Sequence, residues 1–86
     1  MTLEELLRQL ETLDHEATIL ATTPWTRSSF AQVVTEPEDG SVASMERDGM
    51  SYFLEVAIAR ELRDALPHLS VGEFCDRVVS YAVNDA

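Results

Sequence analysis

The chain opens with a helical rhythm. "MTLEELLRQLETL" sets Leu3, Leu6, Leu7, Leu10 and Leu13 at intervals of three and four, which is one face of a helix. Thr2 and Glu5 have the spacing of a capping box, and Glu4 stands four residues before Arg8, the favourable order for an ion pair along a helix. The pattern predicts a helix over 2–13. The period then changes. After a polar turn at 14–16, the run "ATILAT" at 17–22 is apolar and β-branched and predicts a short strand. Pro24 ends it, because proline has no N–H to give to a ladder. "FAQVVT" at 30–35 predicts a second strand, antiparallel to the first across the loop between them.

The stretch 35–50, "TEPEDGSVASMERDGM", has no such period and is long for a connection in so small a domain, which marks it as functional or mobile. "PEDG" within it suits a β-turn, and a short helical turn fits 42–47. In "MSYFLEVAIARELRDAL" the helical period returns: Phe53, Leu54, Ala57, Ile58, Leu62, Ala65 and Leu66 share a face. This predicts a helix over 51–66 stopped by Pro67, although "SYFL" has β character and leaves 50–54 open to a strand start. The last segment repeats the capping-box spacing with Ser70 and Glu73, then places Val71, Phe74, Cys75, Val78, Tyr81 and Ala82 on one face, a helix over 70–83. The expected fold is therefore α+β, a single domain over 1–86 in the order α-β-β-α-α. A short antiparallel β-pair packs against the helices. Two strands are marginal alone, so helices must cover them or a second chain must extend them.

Composition narrows the partners. With 86 residues, one cysteine and no Cys/His spacing of zinc type, the domain relies on packing rather than on staples. Sixteen acids face six arginines and no lysine, a net charge of −10. That balance argues against binding nucleic acid through its phosphates, which needs a basic face, and against anionic membrane surfaces. No apolar run approaches the roughly 20 residues of a membrane span. The acidic N-terminus lacks a basic n-region and an apolar h-region. With its lone thiol, the chain reads as cytoplasmic.

No constellation of residues specifies a reaction. "DHE" at 14–16 cannot turn three consecutive side chains onto one ion, and His68 lies far along the chain, so neither a metal nor another cofactor is expected. Cys75 and His68 are the types of a nucleophile and its base, but Cys75 sits in the apolar stripe of the last helix, where a thiol acts as a small hydrophobe. Carboxylates are abundant without a cleft that would set two of them to work, and "EPEDG" departs from a calcium loop. The expected protein is not an enzyme.

The remaining oddity is the sole tryptophan, in "ATTPWTRSSFAQVV". Trp25 beside Arg27, among hydroxyls, has the composition of an interface hot spot. The same residue types also make a lid for a small core, with the hydroxyls closing turns. Both roles stay open at this point. The elements Ala17-Thr18-Ile19, Pro24-Trp25-Thr26, Val33-Val34, Glu36-Pro37, Asp39-Gly40 and Tyr52-Phe53-Leu54-Glu55-Val56 resemble the pattern of a small bacterial protein family with no assigned activity. The likeness spans about the first 60 residues and implies that the Trp25 loop and the acidic loop are recurring elements. It implies no substrate, cofactor or catalytic residue.

Small size, strong negative charge and the absence of a catalytic set predict a non-enzymatic binding protein of the immunity or antitoxin type, masking a basic protein such as a toxin or nuclease. The expected contact residues are Trp25, Arg27, Glu36, Glu38, Asp39, Glu46 and Asp48. The alternative is a self-associating homodimer, suggested by the undersized sheet and by the leucine stripe of the first helix.

Overall fold

The computed structural model describes residues 1–35 and 49–84. Helix α1, Leu3–Arg8, carries the predicted capping box. The Thr2 Oγ1 accepts the Glu5 N–H at 3.2 Å, and the Glu5 carboxylate accepts the Thr2 N–H at 3.2 Å. The α-helix ends sooner than the expected 2–13. Gln9, Thr12 and Leu13 donate to carbonyls three residues back, and a 3-10 turn, Leu10–Thr12, replaces the last α-helical turn. The tighter winding still buries Leu10.

Three strands follow rather than two. Strand β1, Ala17–Thr22, lies between β2, Ala31–Thr35, and β3, Met50–Glu55, and pairs antiparallel with both. The second strand thus falls where the sequence placed it, while the first part of the predicted helix 51–66 is a strand. The error has a physical cause. Ile19 pairs with Leu54 and Leu20 pairs with Tyr52, so Phe53 is an extra residue in a β-bulge. A bulge sets two neighbours toward one side of the sheet, and Phe53 and Leu54 are both buried. Two adjacent inward apolar residues break the alternation of a strand and imitate the spacing of a helix.

Glu55 then leads straight into α2, Val56–Ala65, and α3 spans Val71–Asn84. Ser70 and Glu73 form the second capping box: the Ser70 hydroxyl donates to the carboxylate at 2.9 Å and accepts the Glu73 N–H at 3.2 Å. The described order is α-β-β-β-α-α, which keeps the α+β class and corrects the expected order. The expected β-turn at "PEDG" and helical turn at 42–47 lie outside the described residues.

The helices cover one face of the sheet. Ala17, Ile19 and Ala21 of β1 join Leu3, Leu6, Leu7 and Leu10, with Phe53, Val56, Phe74 and Val78, in one buried cluster. The leucine stripe that suggested a dimer is thus spent inside the chain's own core. Alternation turns Thr18 and Leu20 to the other face, yet both are fully buried. The Thr18 Oγ1 has no hydrogen-bond partner among the described residues. Among the described residues, no helix is long and apolar enough to cross a membrane.

Candidate functional site

The Trp25 loop runs from the end of β1 to the start of β2, past a cis Thr23–Pro24 bond. Its tryptophan is half-buried. The indole meets the Phe53 ring edge-on, with centroids 4.9 Å apart and planes at 86°, and its Nε1–H donates to the Ala21 carbonyl at 3.3 Å. An aromatic pair in this geometry adds to area burial. The bulge at Phe53 therefore supplies the surface on which Trp25 rests.

Three of the loop's hydroxyls are engaged locally. The Ser29 hydroxyl accepts the Thr26 N–H at 2.9 Å and donates to the Pro24 carbonyl at 3.1 Å, while the Thr22 hydroxyl accepts the Phe30 N–H at 3.1 Å. Ser28 N–H donates to the Thr26 hydroxyl at 3.2 Å. Two loop carbonyls do more. Ser29 O accepts the Leu3 N–H at 2.8 Å, and Arg27 O accepts the Glu4 N–H at 3.1 Å. The first turn of a helix has N–H groups with no partner inside the helix. Here Thr2 satisfies one of them and the Trp25 loop satisfies two more.

Arg27 ties the same loop to two helices. Its guanidinium grips both Asp76 carboxylate oxygens, at 2.9 and 2.6 Å, and lies 3.9 Å from Glu4. The fork geometry suits a carboxylate. The hydrogen bonds from Arg27 hold the Asp76 carboxyl below its usual range, and the same contacts raise Arg27. The guanidinium crosses α3 at Gly72, where an added Cβ would meet its Nη1 at 2.6 Å and its Cζ at 2.9 Å. A glycine in the first turn of α3 is what lets the arginine lie there. Sequence reading missed Phe53, Glu4, Gly72 and Asp76 as the partners of this loop. Arg27 and Asp76 are 49 residues apart, so no local spacing announces the pair.

Two further arginines, Arg60 and Arg63, are also held by the fold. Arg60 donates to the Glu11 carbonyl at 2.7 Å. Arg63 donates to the Leu69 carbonyl at 3.0 Å and stacks over the Phe74 ring at 4.9 Å. Both border a cleft of about 350 Å³ between the 3-10 turn and α2, shared with His15, Glu11, Glu61 and Asp64. Among the described residues, these three carboxylates make no hydrogen bond or ion pair. Glu36, Glu38, Asp39, Glu46 and Asp48 lie outside the described residues, so of the expected contact set only Trp25 and Arg27 can be placed.

Cys75 is fully buried, and burial pushes its thiol up to about 11, with Asp76 adding to the effect. His68 is exposed. Asp14 is occupied by the turn it builds, accepting the Glu16 N–H at 2.9 Å. No group of three or more His, Cys, Asp or Glu residues is arranged to hold a metal ion among the described residues. No protein-family model, curated protein or solved structure matches the chain.

Proposed function

We propose that the chain is a non-enzymatic, cytoplasmic binding protein that masks the basic surface of another protein, in the manner of an immunity protein or antitoxin set against a toxin or nuclease. Excess negative charge is the observation that carries this reading. The net charge is −10, and around one cleft Glu11, Glu61 and Asp64 outnumber Arg60 and Arg63 and make no ion pair among the described residues. Charge of this kind speeds encounter with a basic partner and rejects acidic ones. Glu36, Glu38, Asp39, Glu46 and Asp48 join the contact surface on the strength of the sequence. Trp25 and Arg27 hold the framework through their internal contacts.

The test is affinity capture from the native host at low salt, followed by kinetics on the purified pair. The expected partner has a basic surface. Its association rate falls by roughly tenfold or more as salt rises through the physiological range, the mark of electrostatic steering. Neutralising Glu11→Gln, Glu61→Gln and Asp64→Asn together slows association further. A partner with a neutral or acidic surface, or binding indifferent to salt, overturns the reading.

A further inference from the structure

Helix α2 carries apolar side chains that the core covers only in part: Ile58 and Leu62 pack against it and stay half-buried. Val56 and Ala59 are its buried residues. Ile58, Leu62 and Leu66 are half-buried and Ala65 is exposed. At 3.6 residues per turn these four form a second stripe, about a quarter-turn around the helix from the first. One wall of this stripe is α3. There Leu62 and Leu66 share a groove of about 160 Å³ with Val78, Tyr81 and Arg77.

The rims of the face carry opposite charges. Arg77 borders the groove on the α3 side, is exposed, and has no carboxylate partner among the described residues. Glu73, one turn before it, closes its own capping box with Ser70. On the far side of the stripe stands Glu61, three residues from Ile58 and four from Ala65, also exposed and unpaired among the described residues. An apolar centre with a cation, Arg77, on one rim and, on the other, Glu61 and Asp64 outnumbering Arg60 is complementary to itself under a two-fold axis. A foreign partner of one charge would satisfy one rim and oppose the other.

We propose that this α2–α3 face is covered by a second copy of the chain. With the dyad running along α2, the Arg77 rim of each copy lies over the Glu61 rim of the other, and two ion pairs form together. The contact is small. A ten-residue helix is about 15 Å long, so the face offers on the order of 400 Å² per copy, about half of what a standard interface takes from each partner. Two copies of charge −10 also repel. The dimer is therefore weak, with a dissociation constant of roughly 100 µM.

Sedimentation equilibrium on the full chain, from roughly 10 µM to 1 mM, tests the proposal. The expected behaviour is a reversible monomer–dimer equilibrium. Arg77→Glu and Glu61→Arg, both at exposed positions, each weaken it by about tenfold. Because each copy supplies both rims, the double exchange in one chain restores the dimer to within about threefold of wild type. Circular dichroism confirms that each variant keeps its helices. A monomer throughout, a dimer indifferent to the reversals, or a double exchange that fails to restore association overturns the proposal.

Discussion

The Trp25 loop and the outer face of α2 invert what their residue types suggest. The loop has the tryptophan, arginine and hydroxyls of a contact surface, yet most of them are tied to the chain's own fold. Trp25 leans on Phe53, Arg27 grips Asp76, and two carbonyls complete the first turn of α1. The outer face of α2 has the leucines and isoleucine of an ordinary core helix, yet leaves them half-buried beside an arginine and a glutamate that are unpaired among the described residues. Residue type alone does not say which surface is free. What decides is whether the fold has already used its polar groups.

Truncations should separate the two regions most strongly. Phe53→Ala removes a fully buried ring and the support of Trp25 and should cost about 3–5 kcal/mol in urea denaturation. Trp25→Ala, at a half-buried site, should cost about 2 kcal/mol. Leu66→Ala on the outer stripe should cost about 1 kcal/mol or less, since much of its surface is already in water. A larger loss at Leu66 than at Trp25 would break the comparison.

Gly72 sharpens it. Alanine there gains up to about 1 kcal/mol of helix propensity but displaces the guanidinium that crosses it. Gly72→Ala should therefore be near neutral in the wild type and show its full gain only in an Arg27→Ala background. Equal effects in both backgrounds would mean that Arg27 does not rest on Gly72. A comparable gain should come from the sheet. Thr18→Val keeps the shape of a β-branched residue and removes a buried hydroxyl with no partner among the described residues, and should stabilise by up to about 1 kcal/mol.

The smallest effect is in acid. Asp76 is held below its ordinary value of 3.8 by Arg27. A carboxylate depressed on folding contributes stability above its unfolded value, and that contribution is lost as the pH falls through the folded one. The stability difference between wild type and Arg27→Ala should thus be present at pH 7 and shrink below about pH 3.8. Both partners are exposed and solvent screens them, so a gap that widens in acid would contradict the pairing. Glu5 and Glu73, depressed by their capping contacts with Thr2 and Ser70, should make stability fall in acid in both proteins alike.

Local features were legible in the sequence, and distant ones were not. Both capping boxes, the two flanking strands of "ATTPWTRSSFAQVV" and the last helix follow from spacings of two, three or four residues. The bulge at Phe53 was misread because a doubled inward residue has the local look of a helix. The clasp of Arg27 was invisible because its partner lies 49 residues away. The leucines of α1 were read correctly as needing burial, but a third strand that widens the internal platform cannot be counted from a stripe.

The central claim is that the Trp25 loop is part of the framework. Amide hydrogen exchange at Leu3 and Glu4 tests it most directly. First-turn amides usually exchange fast because they lack helical partners, but here they donate to Ser29 O and Arg27 O. Slow exchange is expected at both, approaching that of β1, with faster exchange at both in Arg27→Ala. Exchange at unprotected rates in the wild type would contradict it and leave the loop free to meet a partner.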